Sequence, residues 1–404
     1  MADESDARYL TTAEVADRLD IKPATVYAYV SRGLLTKLPT SDRRGSLFRE
    51  DEVSRLARGR RPGSAPRGTL DDITTEISLL DRDELYYRGH NVADLVAAHR
   101  VESVANLLWT GELSPPSTQF TAPPEILAAT RAAVAALPEQ TRLSDRLRVA
   151  VAVAGATDRL RFDLSPEGVL RTAGILVAVE LDALTPELPA SDTLAELPTS
   201  GTLAERLWPA LTPHPPNIPL LDTTLTLLAD HGLAVSTVAA RVAASARVHP
   251  YGTVAAALGA LDSQYHGGAS TLAYRFLADA LTDPVGAVSE RLRLGGPLPG
   301  FGHLIYQHTD PRADLLLAAL RTIPAATPAL TAIDTLKSHL ATPLVALPNI
   351  DLALAVLMHA FDMRPDAGET IFAVARTLGW IAHTLEEYTE PPMRFRPTRT
   401  PSPH

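Results

Sequence analysis

The chain contains no cysteine. A disulfide framework and a zinc site built on thiolates are therefore both excluded. It also lacks an apolar run of the roughly 18 residues that a membrane helix needs, because its most apolar stretches, 149–155 and 174–179, are short. The acidic N-terminus, Met1-Ala2-Asp3-Glu4-Ser5-Asp6, has no apolar signal-peptide core. We therefore expect a cytoplasmic protein with no membrane partner.

Several familiar catalytic signatures are missing as well. The sequence has no HExxH, GxSxG, Walker A or GxGxxG motif. Three histidines stand beside glycines, His231, His266 and His303, but they are too far apart in sequence to match a metal motif. We therefore expect no metal site and no permanently bound cofactor.

Positive charge is scarce and unevenly distributed. The 404 residues, enough for roughly two to three domains, include 37 Lys and Arg against 47 Asp and Glu, a net charge of −10. Residues 1–68 hold 13 basic and 10 acidic residues, a balance of +3, so the remainder, with 24 against 37, carries −13. A small basic segment ahead of an acidic body indicates a nucleic-acid contact near the N-terminus.

Residues 1–58 have the pattern of a small helical module. Thr11 and Glu14 match a capping box before a first helix. Pro23 stands at the start of a second short helix, which Gly33 ends. Two short helices around a tight turn form a helix-turn-helix pattern. An extended wing and a third helix follow, and residues 59–68 form a flexible basic linker.

This module resembles the winged helix-turn-helix of the excisionase and MerR families. The resemblance implies that the helix with Thr25 and Tyr27 enters a major groove. It also implies that Arg43 and Arg44, in the wing, lie near phosphates, so DNA is an expected partner. An alternative stays open, in which the arginines form a solvated face and the module only docks on the body.

The rest of the chain predicts a mainly α-helical body, and hence the all-α fold class. Residues 72–89 alternate briefly between apolar and polar side chains around a turn, which suits a β-hairpin. Few β-branched runs occur, so a parallel sheet is not expected. Segments rich in Ala and Leu, broken by Pro, Gly or Ser, predict helices at 91–108, 124–136, 143–156, 168–184 and 203–211.

The stretch 300–312 holds more chemistry than a structural loop needs. Gly300 and Gly302 flank Phe301 and can adopt positive φ, which would present His303 at a tight turn. Arg312 follows directly after an Asp-Pro turn signal. A histidine and an arginine in one glycine-rich turn indicate an anionic, carbonyl-bearing ligand.

Polar residues also interrupt apolar segments elsewhere. Asp230 and His231 are either a hydrogen-bonded pair at a helix junction or part of a site. His266 precedes two glycines, which would offer its ring to a ligand. Asp351 stands at a helix start, where it is either a cap or a functional carboxylate. Arg376 lies inside an apolar helix, and a buried arginine needs an anion from the protein or from a ligand.

From about residue 69 to residue 397 the chain resembles the citrate synthase family. Seven motifs occur in the family's order: the hairpin and helix 72–113 with Tyr87-Arg88-Gly89, Asp230-His231-Gly232, Tyr265-His266-Gly267-Gly268-Ala269, 300–312, Asn349-Ile350-Asp351, the helix 376–383, and Arg396-Pro397. The resemblance implies a large helical domain over 69–266, a small helical domain over 267–366, and a return to the large domain with a C-terminal tail over 367–404.

The same resemblance implies an acyltransferase of the citrate (Si)-synthase type, which condenses acetyl-CoA, as co-substrate, with oxaloacetate. Asp351 would remove a methyl proton from acetyl-CoA. His266 would donate a hydrogen bond to the thioester oxygen, and His303 would polarise the ketone of oxaloacetate. Four side chains would hold the carboxylates of oxaloacetate: His231, Arg312, Arg376, and Arg396 from the other subunit of a homodimer.

The sequence departs from the family pattern at four places. Leu304 follows His303 where the family commonly has a basic residue. Gln307 replaces an Arg or Lys that meets the coenzyme. Ala234-Val235 stands before Ser236 in place of Asn-Ala, and Ser270 replaces a frequent Asn. These departures leave the oxaloacetate side intact and predict weaker binding of acyl-CoA.

Three functions therefore remain open. The first is a citrate synthase with an added DNA-binding module. The second is a 2-methylcitrate synthase that uses propionyl-CoA. The third is a transcription regulator that uses the fold to sense oxaloacetate or acyl-CoA. The retention of Asp351, His266 and His303 favours the enzymes, since a sensor does not need a base aligned with an enol stabiliser.

Overall fold

The computed structural model describes residues 9–18, 26, 30, 35–37, 46–50, 53, 73–114, 120–184, 201–340 and 347–395. The chain divides into two compact units, of which the larger is Ile73–Met393. Five residues assigned from the sequence lie outside the described residues: Thr25, Tyr27, Arg43, Arg44 and Arg396. Their roles therefore stay predictions.

The described part of the N-terminal unit is a small, separately packed module. Strand β1 (Tyr9–Thr11) pairs antiparallel with β2 (Leu47–Arg49), and helix α1 (Thr12–Arg18) follows β1 directly. The capping box is confirmed, because the Thr11 backbone N–H donates to the Glu14 carboxylate at 2.7 Å and the Glu14 N–H donates to Thr11 Oγ1 at 3.4 Å. The core of this unit is a cluster of buried apolar side chains: Val15, Ala16, Val26, Leu35, Phe48 and Val53.

The larger unit begins with a three-stranded antiparallel sheet. Strands β3 (Ser78–Asp81) and β4 (Glu84–Tyr87) form the predicted hairpin, with Ser78 opposite Tyr87 and Asp81 opposite Glu84. A short strand β5 (His90–Asn91), which the sequence pattern did not predict, pairs with β4. The alternation of apolar side chains buries Leu85 and Tyr87 beneath the hairpin.

Helices make up nearly all of the rest of this unit, which confirms the all-α class. They are α2 (Val92–Ala98), α3 (Val101–Thr110), α4 (Pro124–Ala135), α5 (Leu143–Thr157), α6 (Pro166–Leu184), α7 (Leu203–Leu211), α8 (Ile218–Leu228), α9 (Val235–Ser245), α10 (Pro250–Leu261), α11 (Gly268–Thr282), α12 (Pro284–Arg293), α13 (Pro311–Leu320), a 3-10 turn (Pro324–Ala326), α14 (Thr327–His339), α15 (Ile350–Ala360) and α16 (Ala367–Thr389).

Local residue chemistry explains where many helices begin. Pro stands in the first turn of α4, α8, α10, α12 and α13, where its missing N–H costs nothing. Asn91, Asn217 and Asn349 cap α2, α8 and α15 with their side chains. The predicted single helix over 91–108 was wrong, because the chain breaks at His99-Arg100, where neither Gly nor Pro signals an end.

Helix α16 is the centre of the larger unit. It packs against α3, α6, α8, α9 and α10. Of its 23 residues nearly all are buried, including Leu378, Trp380 and Ile381. Because it is covered on every side, its polar residues must find partners inside the protein or on a ligand. The predicted division of the body at residues 267 and 366 stays a prediction.

Over the described ranges, no single helix is both long and apolar enough to cross a membrane. The helices at Pro311–Leu320 and Pro324–Ser338 meet the length and composition criteria only when taken together, and they are bent by 116° at the break between them.

Candidate active site

The loop 300–312 has the predicted glycine turn. Gly300 and Gly302 both have a φ of 80°. A Cβ on Gly300 would lie 2.8 Å from Cβ of Leu352, so the loop can approach α15 only with glycine there. The Asn349 N–H donates to the Gly300 carbonyl at 3.0 Å, and the Asn349 side chain donates to the Gly302 carbonyl at 3.0 Å. His303 is thereby fixed beside the start of α15.

Asp310 links Arg312 to that same helix. Arg312 donates from Nε to Oδ1 at 3.0 Å and from Nη2 to Oδ2 at 2.9 Å. The Ile350 N–H also donates to Asp310 Oδ2, at 3.1 Å. Asp310 and Arg312 are both buried. The guanidinium is therefore held rigidly next to the residue that precedes Asp351.

The geometry of His303 selects one tautomer of its ring. The backbone N–H groups of Ile305 and Tyr306 both donate to Nδ1, at 3.0 and 3.2 Å. A neutral ring must therefore carry its hydrogen on Nε2. Arg312 Nη2, which can only donate, lies 3.4 Å from Nε2, so this contact is not a hydrogen bond in that tautomer. Burial and the charge of Arg312 lower the pKa of His303. Near pH 7 the ring is neutral, and its Nε2–H is a donor.

His231 completes a cluster with His303 and Tyr306. Its Nε2 lies 2.9 Å from the Tyr306 hydroxyl, and the centroids of the two histidine rings are 5.5 Å apart. Burial, followed by the charges of Arg312 and Arg376, places the pKa of His231 well below its usual value. The ring is therefore a neutral hydrogen-bonding group between two arginines.

Asp230 is the structural member of the Asp230-His231 pair. Its Oδ2 accepts from Ser78 Oγ at 2.5 Å and from the Gly232 N–H at 3.0 Å. Its Oδ1 lies 3.2 Å from His383 Nε2. Buried Asp230 thus fixes the junction between α8 and α9, while His231 faces the cluster. The two residues do not pair with each other as the helix-junction interpretation supposed.

A chain of three side chains sets the tautomer of His266. Trp380 Nε1 donates to Ser236 Oγ at 3.3 Å, and Ser236 Oγ lies 2.7 Å from His266 Nε2. Because the indole can only donate, Ser236 is free to donate its own hydrogen to Nε2. With Ser236 as that donor, the His266 hydrogen is on Nδ1, and we adopt this tautomer. Burial, with the charges of Arg376 and Arg312, lowers the pKa of His266 to about 4, so the ring is neutral.

Asp351 is not the cap of its helix, because the Asn349 side chain accepts the Asp351 and Leu352 N–H groups. The Oδ1 atom of Asp351 is buried and has no hydrogen-bond partner among the described residues. Burial raises the pKa of Asp351 to about 7, against the opposing charge of Arg312. A carboxylate with this pKa can exchange a proton at neutral pH.

Arg376 is held by one of its three nitrogens. Its Nε donates to the Leu228 carbonyl at 2.9 Å, and Cζ lies 4.7 Å from the centroid of the Phe372 ring. Nη1 and Nη2 are buried and find no hydrogen-bond partner in the described part of the chain. Burial lowers the pKa of Arg376 to about 10, so the side chain stays charged at neutral pH. Two aimed donors of this kind suit a ligand carboxylate.

Sequence reasoning missed three residues that orient this cluster: Ser236, Tyr306 and Trp380. Ser236 contacts a histidine 30 positions away, and Tyr306 contacts one 75 positions away. No local pattern predicts such contacts, although a polar Ser236 and Thr237 at the start of an apolar helix were a weak signal. Of the departures, Leu304 is fully exposed, and Ser270 is buried with its hydroxyl donating to the Gly267 carbonyl.

The fold and this cluster define a class of protein. A helical body holds a carboxyl group of raised pKa, neutral histidines of assigned tautomer and two buried arginines. Such a set can abstract a proton, stabilise a developing oxyanion and bind carboxylates. This set of groups is typical of an enzyme that forms carbon–carbon bonds on an anionic carbonyl substrate.

The chain belongs to the citrate synthase family. Residues 68–398 match the family model described as the C-terminal domain of citrate synthase, and residues 9–61 match one described as a helix-turn-helix domain. The enzyme type is accordingly that of citrate (Si)-synthase, and the activity is that of a citrate or 2-methylcitrate synthase.

Related proteins carry both names. The citrate synthase of Haloferax volcanii is 30% identical, over 81% of this chain and 93% of that protein. The 2-methylcitrate synthase of Mycobacterium tuberculosis is 28% identical, over 78% and 84%. Citrate synthase from Thermoplasma acidophilum, solved as a ternary complex with carboxymethyl coenzyme A and oxaloacetate, has a TM-score of 0.66 at 25% identity and covers 82% of this chain and 94% of that one.

Proposed function

We propose that the chain condenses acetyl-CoA with oxaloacetate to give citrate and CoA. The observation that carries this proposal is Asp351, whose buried Oδ1 makes no hydrogen bond to the described residues and whose pKa is raised to about 7. A buried carboxylate oxygen that has no hydrogen-bond partner among the described residues does not stabilise the fold. It suits a base that must collect a proton from a bound acyl group.

The roles of the histidines follow from their tautomers. Asp351 takes a proton from the methyl group of acetyl-CoA, and His266 Nδ1–H donates to the thioester oxygen as negative charge develops there. The resulting carbon attacks the ketone carbon of oxaloacetate, and His303 Nε2–H donates a hydrogen bond to the ketone oxygen as it becomes an alkoxide. The proton that Asp351 took then passes through solvent to the alkoxide, which becomes a hydroxyl, and Asp351 is ionised again. Neutral donors suit both steps, because a neutral imidazole forms no ion pair with a carboxylate and its N–H stays available to the developing oxyanion. Water then hydrolyses the citryl-CoA thioester and releases CoA.

The carboxylates of oxaloacetate bind His231, Arg312 and Arg376, with Arg396 supplied by the second subunit of a homodimer. The role of Arg376 is supported by its Nη1 and Nη2 atoms, which have no hydrogen-bond partner among the described residues. Exposed apolar side chains on α9, Val235 and Val242, and in the α5–α6 loop, Leu160 and Phe162, support a partner surface on the larger unit. The dimer would act in the cytoplasm as the enzyme that admits acetyl groups to the tricarboxylic acid cycle.

Thiol release with identification of the product tests the proposal. The full chain is given oxaloacetate with acetyl-CoA or with propionyl-CoA, free CoA is followed with a thiol reagent, and the acid is identified by mass spectrometry. Release with acetyl-CoA and formation of citrate support the proposal. No release with either thioester, from protein that binds oxaloacetate, overturns it.

2-Methylcitrate synthase is the second candidate, since several relatives carry that name. The two activities differ by one methylene on the acyl group, which a hydrophobic pocket distinguishes only by about 1–3 kcal/mol. A kcat/KM for propionyl-CoA above that for acetyl-CoA would make this candidate the correct one.

The N-terminal module supports a DNA-binding role, either beside the enzyme activity or, in a regulator that senses oxaloacetate or acyl-CoA, in its place. A dimer would carry two modules and suit a palindromic site. Removal of residues 1–68 should abolish retention of DNA in a shift assay and leave condensation unchanged. Equal retention by the truncated body would contradict this role.

A further inference from the structure

The tip of the β3–β4 hairpin contacts the loop that carries His303. Asp83 Oδ1 accepts the backbone N–H of Gln307 at 2.8 Å, and its Oδ2 accepts the N–H of His308 at 2.9 Å. The ring of His308 adds a contact, with Nδ1 at 2.9 Å from Oδ2. One carboxylate therefore holds two successive amides and a side chain more than 220 positions away in sequence.

The base of the same hairpin holds the segment that carries His231. Ser78 Oγ donates to Asp230 Oδ2 at 2.5 Å and accepts the Gly232 N–H at 2.9 Å. Opposite Ser78, the Tyr87 hydroxyl donates to the Asp230 carbonyl at 2.9 Å. The residues on both sides of His231 are thus tied to the paired strands.

The middle of the His303 loop depends on few other contacts. Its beginning is tied to 347–349 and its end to Asp310. Among the described residues, the hydrogen bonds that residues 303–308 make outside the segment are the three to Asp83 and the Tyr306–His231 contact. Asp83 therefore supplies three of these four bonds.

The backbone of the turn indicates that aspartate occurs at position 83 because of its side-chain contacts, and not because of the turn conformation. Arg82 and Asp83 have φ values of 48° and 62°, and both lie in the left-handed region that favours Gly or Asn in a two-residue hairpin. A turn that had only to reverse the chain would be less strained with glycine. Asp83 is instead 13% exposed, and the Gln307 N–H holds its pKa below the usual value.

We propose that Asp83 is a positioning residue: through it, one hairpin sets the distance between His231 and the His303 loop, and so shapes the site for the ketone and carboxylate of oxaloacetate. This inference rests on the proposed function only for its kinetic consequence. Asp83 itself does not touch the reacting atoms.

Three variants grade the contact. Asp83→Ala removes all three bonds, Asp83→Asn keeps one acceptor but turns an amide NH2 toward His308, and His308→Ala removes the ring contact alone. Asp81→Ala is the matched control, because it removes an exposed carboxylate from the same hairpin.

A displaced catalytic group costs up to about 100-fold in rate. We expect Asp83→Ala to lower kcat/KM for oxaloacetate about 10- to 100-fold, Asp83→Asn less, and His308→Ala and Asp81→Ala least.

Hydrogen exchange of the peptide covering 303–309, measured by mass spectrometry, separates this inference from the proposed function. Faster exchange in Asp83→Ala, with weaker oxaloacetate binding by calorimetry, supports the inference even if no variant, nor the wild type, releases CoA. Unchanged exchange in folded Asp83→Ala overturns it, and so does faster exchange with unchanged oxaloacetate affinity. If Asp83→Ala does not fold, Asp83→Asn decides by the same two measurements.

Discussion

Ser236 Oγ lies 2.7 Å from Nε2 of His266, and Trp380 Nε1 lies on the other side of the same oxygen at 3.3 Å. In the tautomer that we adopt, Ser236 donates to Nε2 and the His266 hydrogen is on Nδ1. Without Ser236, Nε2 loses its donor and the ring can adopt the other tautomer. The nitrogen that faces the acyl group would then accept a hydrogen bond when it must donate one.

Ser236→Ala should therefore impair the proton-transfer step. Correctly placed acid–base groups contribute about 100-fold or more, so we expect kcat to fall about 10- to 100-fold with little change in the KM for oxaloacetate. Ser245→Ala is the control, because Ser245 is buried on the same helix and donates to the Val242 carbonyl. Equal kcat values for Ser236→Ala and wild type would contradict the assigned tautomer.

The pH dependence of the reaction should report Asp351. Its pKa is raised to about 7, and a base acts only when ionised, so kcat/KM should rise with pH through about 7 and then level off. The pKa values of His231, His266 and His303 are all lowered, so ionisation of these rings does not account for a rise in rate through about pH 7. A pH–rate profile measures this directly. A profile that stays flat down to pH 5 would show that the base is not Asp351.

The same raised pKa predicts a pH effect on stability. The folded state holds the Asp351 proton more tightly than the unfolded state does, so this stabilisation is complete below the unfolded pKa and is lost as pH rises through about 7. Asp351→Asn removes the cost of ionisation. The thermal midpoint of Asp351→Asn minus that of wild type, measured by calorimetry, should therefore increase from pH 5 to pH 8. A constant difference over that interval would mean that Asp351 titrates normally.

Arg376→Met tests the two unpaired guanidinium nitrogens. In the absence of ligand, we expect the loss of stability to be limited to that of the Nε bond to the Leu228 carbonyl, because Nη1 and Nη2 make no hydrogen bond to the described residues. The upward shift of the thermal midpoint by oxaloacetate should disappear. Arg241→Met is the contrasting variant: Arg241 is fully buried and donates to Glu387 at 3.0 Å, so its loss should cost about 3–5 kcal/mol. An unchanged oxaloacetate shift in Arg376→Met would exclude Arg376 from the site.

Mixing two variants tests the proposal that the site is shared between the subunits of a homodimer. Asp351→Ala and Arg396→Ala each lack one group, but a mixed dimer has one site with Asp351 from one subunit and Arg396 from the other. Random exchange should restore about a quarter of wild-type activity. If mixing after reversible dissociation restores none, Arg396 acts within its own subunit or not at all.

The sequence indicated candidate site residues wherever a His or Arg lies next to a glycine or an Asp-Pro pair that marks a turn. Gly300 and Gly302, the Asp310-Pro311 pair and the two glycines after His266 marked turns, and the residues beside them proved to lie in or near one cluster. The hairpin was predicted from its alternating apolar and polar residues, and the helices near 124–136, 143–156, 168–184 and 203–211 from the Pro, Gly or Ser between them. Where no such signal exists, as at the break between α2 and α3, prediction failed.

Residues that act by tertiary contact were not predictable. Ser236, Trp380 and Tyr306 are ordinary helix or loop residues in sequence, and only packing brings them to a histidine. Asp83 is a further example, because a turn aspartate usually satisfies its own backbone. Asp351 also needed the structure, since the sequence does not show that Asn349 is the cap and that Oδ1 of Asp351 has no hydrogen-bond partner among the described residues.

The most direct test of the central claim compares wild type with Asp351→Asn for release of CoA from acetyl-CoA in the presence of oxaloacetate. Calorimetry of oxaloacetate binding serves as the control for an intact site. The base assignment predicts that both proteins bind oxaloacetate and that only the wild type releases CoA. Release by Asp351→Asn at the wild-type rate would contradict it, as would a wild type that binds oxaloacetate and releases none.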